Sequence, residues 1–355
     1  MTTAGRTVIF SATTVALSMS VMVLFPMHFL KSFAFAGVAT VAFAAASAVV
    51  VTPAALVLLG DRHAALDVRR LARRVLRRAE PAPVPVHQRF WYRCAKAVMR
   101  RAVPLGLAVV ALLVVAGLPF LGVRWGFPDD RVLPRSASAH QVGDQLRDEF
   151  AENTDTAVTV VLPDTRGLGR AELSAYATDL SRVPDVVAVS APTGTYVDGR
   201  AAGPPSAPTG ERDGAAYLTV ASSAPLFSDA SQTQLDRLEA VAGPGGRAVE
   251  LTGTAAANRD SVAAITSTLP LVLGLIGVSM FVLLFLITGS LVVPLKALVL
   301  NVLSLSAAFG ALVWVFQDGH LGGLGTTPTG TLIANMPVLL FCIAFGLSMD
   351  YEVFL

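Results

Sequence analysis

Six apolar runs and one long polar stretch predict a polytopic α-helical membrane protein that carries a single α/β domain outside the bilayer. Three observations lead there. Hydrophobic residues make up 54% of the chain and charged residues only 15%, too apolar an average for an ordinary soluble protein. Each apolar run approaches or exceeds the ~20 residues that a hydrocarbon core of about 30 Å demands of a helix. Charge is also segregated: residues 61–101 hold twelve Arg/Lys against three acids, and residues 124–260 hold twelve Arg against nineteen Asp/Glu.

The first run, Thr7–Phe25, stops at Pro26. No small-residue cleavage signature follows it, so it reads as a permanent span and not as a signal peptide. The second run covers Phe33–Leu59, and the link Met27–Lys31 is so short that residues 1–60 form a helical hairpin. The basic segment 61–101 comes next. An excess of Lys/Arg in a short loop places it in the cytoplasm, which puts the amino terminus inside and the region beyond the third run outside. Within it, Arg69–Arg78 carries Leu71, Val75 and Leu76 at roughly helical spacing, with Leu66 just before. Two readings stand: topology-determining charge with no partner, or a cationic amphipathic helix on anionic headgroups. Pro81–Pro85 reads as a stiff spacer. The third run, Ala102–Leu121, makes residues 102–122 a membrane helix.

Residues 123–265 form the outer domain, long enough for its own core. Val142, Leu146 and Phe150 mark one helix face, Leu173, Tyr176, Leu180 and Val183 a second, and Ser231–Val241 a third helix opened by a Ser-x-x-Gln capping pattern. Strands are expected at Thr156–Leu162, Val186–Val189, Tyr217–Val220 and Ala248–Thr252, and Ala201–Gly214, rich in Gly and Pro, reads as a mobile loop. The alternation suits a small α/β sandwich of split βαβ type. The domain holds no His/Cys/Asp cluster, nucleophile elbow or phosphate loop, which argues against an enzyme, a cofactor and a metal site. Its acidic balance argues against a nucleic-acid partner. Cys94 and Cys342 fall in a basic loop and an apolar run, which argues against a disulfide.

The final stretch, 266–355, holds runs at Thr268–Ile287, Val292–Phe316 and Thr331–Leu355. Asp350 is the one acid deep in a spanning segment, with Glu352 nearer the inner surface. A carboxylate at mid-membrane costs roughly 2.5–3.5 kcal/mol on insertion scales, and such residues tend to line relays or substrate paths. Burial would raise its pKa, letting it load and release a proton, with the Tyr351 hydroxyl as a neutral hydrogen-bonding partner. Gly346, with Ala344 and Ser348 in a small-x-x-x-small pattern, would let helices approach closely. Asn301 reads as an interhelical polar contact, and Trp125, Trp314 and Trp91 as interfacial anchors. His28 and His320 read as solvated turn residues.

Pro294–Gln317, followed by Phe345-Gly-Leu-Ser-Met-Asp-Tyr-Glu-Val-Phe-Leu355, resembles the MMPL family within the resistance–nodulation–division (RND) superfamily of transporters. Thr3–Ala12 is similar to the start of that family's fifth span. The resemblance implies an RND-like fold of six transmembrane helices plus one extracytoplasmic porter-like domain. Its sequence of elements corresponds to the fifth through tenth spans of a twelve-span protein, so the chain is expected to be a fragment or a truncated gene product. The resemblance also implies proton-driven export of lipids or hydrophobic small molecules at the cytoplasmic membrane. Asp350 and Tyr351 match the tenth-span half of a proton relay, and the fourth-span pair would come from the missing first-half spans. A non-transporting RND-type module, sterol-sensing-like or a protein-export accessory, and an inert truncated product are the alternatives. An intramembrane aspartyl protease would need a second aspartate on a facing span, and none is found.

Overall fold

A computed structural model describes residues 4–60, 90–149 and 154–352 of the chain. Phe150, the Arg69–Arg78 run and the Pro81–Pro85 spacer lie outside the described residues. The helices are α1 (Ala4–Ser20), α2 (His28–Ala46), α3 (Thr52–Leu59), α4 (Phe90–Arg100), α5 (Ala102–Gly117), α6 (Ser138–Glu149), α7 (Arg170–Leu180), α8 (Asp229–Ala240), α9 (Thr254–Thr288), α10 (Val292–Leu312) and α11 (Asn335–Glu352). The strands are β1 (Val158–Leu162), β2 (Val186–Ala191), β3 (Gly194–Val197), β4 (Arg200–Gly203), β5 (Gly210–Arg212), β6 (Ala215–Ser222) and β7 (Glu250–Thr252). Two units emerge: Met1–Leu121 with Pro270–Ala311 and Val338–Leu355, and Gly122–Leu269 with Leu312–Pro337.

The first unit is the helical one. Its apolar helices satisfy their few hydroxyls internally, as a lipid environment requires. Thr13 Oγ1 donates to the Ile9 carbonyl at 2.8 Å, Ser20 Oγ to Ala16 at 2.6 Å and Thr40 Oγ1 to Ala36 at 2.8 Å. Between α2 and α3, a π turn over Ser47–Val51 absorbs the missing amide of Pro53 without ending the helix. Close packing of α5 on α10 rests on small residues. A Cβ on Gly117 would sit 3.3 Å from the Ser306 carbonyl carbon, one on Gly310 would overlap the Ala116 carbonyl oxygen, and Phe120 stacks on Phe309 at 5.3 Å. Side chains such as Val57, Val103, Leu107 and Leu112 stay uncovered by protein, as a lipid-facing surface would be.

Among the described residues, five helical stretches are long and apolar enough to cross a membrane: Gly5–Leu24, His28–Leu59, Ala102–Gly122, Thr254–Thr288 and Val292–Gln317. The sixth predicted run yields a shorter apolar helix, Asn335–Met349. It starts late because Leu332 is held in a β-bridge with Trp125, with Gly126 N donating to Leu332 O at 2.9 Å and Leu332 N to Arg124 O at 2.8 Å. The fourth run errs the other way: its helix begins at Thr254, well before Thr268, and is 35 residues long. At 1.5 Å per residue that is about 52 Å, far beyond a hydrocarbon core of about 30 Å.

The second unit contains a seven-stranded, wholly antiparallel sheet in the order β4-β3-β2-β6-β1-β7, with β5 on β6. The strands of β1-α7-β2 flank β6, and those of β6-α8-β7 flank β1, so the two split βαβ units interlock. Helices α7 and α8 supply Leu173, Tyr176, Leu180, Leu235 and Leu238 to a core with Val158, Val160, Leu162, Val189, Leu218 and Val220.

Three expectations need correction. Residues 201–214 are not a mobile loop but hold β4 and β5. Asp198-Gly199 and Asp213-Gly214 both have positive φ (47° and 75°, 55° and 77°), the conformation of two-residue hairpin turns, and they join β3 to β4 and β5 to β6. Helix α8 is opened by Ser228, whose Oγ accepts from Ser231 N at 3.2 Å, and not by Ser231. On α6, Val142 and Leu146 are exposed, while His140 and Gly143 are buried, because Gly143 makes room for the Asp130 carboxylate.

Candidate functional site

Helix α11 carries the Asp-Tyr pair in its last turn: Asp350 and Tyr351 continue the helix at backbone level, and their side chains lie outside the described residues. The turns that lead to them are described. Val338, Cys342, Phe345, Gly346 and Met349 form the buried stripe of α11, while Ala344 and Ser348 are half-buried. Of the three small residues predicted to pack, Gly346 therefore sits at the contact and Ala344 and Ser348 lie beside it. A Cβ on Gly346 would stand 3.0 Å from Val15 Cα and 3.3 Å from Ser18 Cβ, so this glycine lets α1 approach backbone to backbone.

Two neighbouring helices place polar side chains on the α11 backbone one to two turns before Asp350. Ser18 on α1, fully buried, donates its Oγ to the Cys342 carbonyl at 2.5 Å. Asn301 on α10, 5% exposed, directs Nδ2 to the Phe345 carbonyl at 3.5 Å, and its buried Oδ1 has no partner among the described residues. Ser18 was missed, although Ser11, Thr14 and Ser18 repeat at helical spacing on one face and so carried a signal. A groove of about 530 Å³ beside them is lined by Thr7, Ser11 and Val15 of α1, Val41 and Ala45 of α2, and Leu347 of α11. The ingredients are those of a polar thread in an apolar bundle: hydroxyl, amide and backbone carbonyls converging on the helix that bears a carboxylate.

The second unit has its own charged cluster. Arg147 grips Asp130 with both nitrogens at 2.9 and 2.7 Å and reaches Asp144 at 2.8 Å, while Arg131 holds Asp129 at 2.5 Å. The hydrogen bond from Arg147 holds the Asp130 carboxyl below its usual range, against the opposing effect of burial. Buried His140 is pinned by the Leu133 carbonyl at 2.9 Å and faces Asp144 at 3.3 Å. Asp129, Asp130, Arg131 and Arg147, together with Phe127 and Phe227, border a cleft of about 440 Å³. Asp129 pairs with Arg131 and Asp130 with Arg147, which reads as structural. Among the described residues, no group of three or more His, Cys, Asp or Glu could hold a metal ion.

Gln317, also missed, closes the end of the α10 run. Its amide is buried, accepting from Arg124 N at 2.8 Å and donating to Gly122 O at 3.0 Å. His320 is not simply solvated: its ring stacks on Trp314 at 4.6 Å and bonds the Trp314 carbonyl at 2.9 Å.

Comparison with known proteins agrees with this architecture. The model of the MMPL family matches residues 1–105 and 131–355. The membrane protein SCO6666 of Streptomyces coelicolor is 35% identical over 99% of this chain and 44% of its own length. The trehalose monomycolate exporter MmpL3 of Mycobacterium tuberculosis is 30% identical over 99% of this chain and 39% of its own length. The mycolic acid-containing lipids exporter MmpL11 of Mycolicibacterium smegmatis is 29% identical over the whole of this chain and 36% of its own length. The chain spans less than half the length of these relatives. With the family model matched over most of its residues and five helices fit to cross a bilayer, the chain is a multi-pass membrane protein of the MMPL family.

Proposed function

We propose that this chain is part of a transporter that uses the proton gradient to export lipids or other hydrophobic molecules across the cytoplasmic membrane. The observation that carries the reading is the Asp350-Tyr351 pair on a helix against which two other spans aim Ser18 and Asn301. Kinship with the lipid exporters MmpL3 and MmpL11 supports the substrate class. In this reading all six apolar runs span the bilayer, residues 61–101 lie in the cytoplasm and the 123–265 domain outside. Each proton that crosses supplies about 2.3 kcal/mol per 100 mV of potential. Asp350 takes up a proton, loses its charge and permits its helix to move against α1 and α10; release resets it. Tyr351 orients the carboxyl through its hydroxyl. Gly346 supplies the smooth contact over which that movement runs.

The test is Asp350→Asn in a protein that contains these spans together with the remaining half. Lipid export driven by an imposed proton gradient should fall to background, with the protein still folded and membrane-inserted. Export at the unsubstituted rate would remove Asp350 from the mechanism.

A further inference from the structure

Between α10 and α11 the backbone winds against the hand that L-amino acids prefer. Leu321, Gly322, Gly323 and Leu324 have φ/ψ of 55°/26°, 64°/27°, 57°/20° and 52°/32°, and Gly325 follows at φ 89°. These torsions mirror those of a 3₁₀ helix, so the segment is a left-handed helical turn. Glycine accepts that hand freely, but leucine does not, because its Cβ crowds the carbonyl oxygen that follows. A bulky side chain held there marks a place where the surroundings overrule local preference, and such places gather at functional sites. At about three residues per turn, Leu321 and Leu324 stand one above the other on a single side. Both are bare, 68% and 67% exposed, whereas buried Gly323 lies against Pro328, whose Cγ would be 3.3 Å from an added Cβ.

Contacts on either side of the turn's entry decide what this ridge meets. The apolar helix Val292–Gln317 ends just before it, and Gln317 ties that end to another. Its Nε2 donates to the Gly122 carbonyl at 3.0 Å, where the apolar helix Ala102–Gly122 also stops. Past Gln317 the chain doubles back. The His320 ring lies flat on that of Trp314, 4.6 Å away at 6°, and its Nδ1 meets the Trp314 carbonyl at 2.9 Å. Leu321 therefore starts level with the last turn of the apolar helix and not beyond it. Trp314 is itself 39% exposed, as an interfacial tryptophan would be. Between Lys296 and Asp350 the one fixed charge is Asp318, so the segment offers no fixed cation to a headgroup. Two leucines at this level bury favourably at the headgroup–acyl boundary. We propose that Leu321 and Leu324 form a ridge that dips into the bilayer surface beside Trp314 and packs on phospholipid chains, whatever the headgroup charge. The proposal does not depend on Asp350.

The test uses the full chain in phosphatidylcholine vesicles, in a Cys94→Ala, Cys342→Ala background. Spin labels attached at Leu321→Cys and at Leu324→Cys should be reached by oxygen and shielded from a water-soluble nickel reagent. A label at Ser206→Cys, exposed between β4 and β5, should show the reverse. Adding about 30% phosphatidylglycerol, which gives the surface a negative potential, should leave all three readings unchanged. Handedness supplies a second arm. A Cβ on Gly322 would meet nothing within 4 Å, so Gly322→Val opposes only the positive φ. It should raise nickel access at position 324 several-fold, whereas Gly274→Val, equally free of contacts but inside right-handed α9, should not. Nickel access at either leucine position of the unsubstituted turn, labels sealed from both reagents by a protein surface, or an unchanged reading in Gly322→Val would each overturn the proposal.

Discussion

At Gly346 a single missing carbon sets how closely α1 and α11 approach. A valine there would press on Val15 Cα, which is backbone and cannot swing aside. Overpacking of this kind costs about 1–3 kcal/mol. Gly346→Val should therefore lower thermal stability in detergent, while Gly277→Val, where a Cβ meets nothing within 4 Å, should change it far less. Asp130 makes a second residue-scale prediction. Its carboxyl is held below the ordinary value of 3.8, first by the Arg147 hydrogen bond. The folded form thus keeps its charge more readily than the unfolded one. That contribution is fully present above pH 3.8 and is lost as the pH falls through the depressed folded value. The hydrogen-exchange protection factors of α6, rates corrected for the intrinsic pH dependence of amide exchange, should stay unchanged from pH 7 to pH 5 and fall only in stronger acid; Asp130→Asn should lower them at neutral pH.

Single elements show how a local signal can be present and still be misread. The Asp-Gly pairs at 198–199 and 213–214 are strong hairpin signals, yet the surrounding Gly and Pro suggested a loop. Helix α8 offers a sharper test because two serines compete for its start. Only Ser228 has extended backbone and a side chain that accepts from the first turn. Ser228→Ala should cost the α/β domain about 1 kcal/mol in chemical denaturation, the usual worth of an N-cap. Ser231→Ala leaves that cap in place and should not reproduce the loss.

For the whole molecule, the segregation of charge is the governing feature. Twelve Arg/Lys in residues 61–101 against an acidic balance in 124–260 set the expected orientation. Single cysteines in a Cys94→Ala, Cys342→Ala background, placed at Ala79 and at Ser206, should react with an impermeant thiol reagent from opposite sides of right-side-out vesicles. Labelling of both from the same side would contradict the assigned topology.

The apolar helices, the α/β domain and the family were legible in the sequence, because each rests on local composition or on a short contiguous motif. Hydrophobic periodicity located α7 through Leu173, Tyr176 and Leu180, all of which are buried. It failed at α6, where Asp130 and Arg147 hold the helix by charge and leave Val142 and Leu146 exposed. Tertiary structure alone decided which residues meet across the chain. Ser18 lies 324 positions from Cys342, and Gln317 lies 195 from Gly122. The bridge from Trp125 to Leu332 that delays α11 joins equally remote segments. A hydroxyl or an amide in an apolar run states that it needs a partner, but only the packing of helices names the carbonyl it finds.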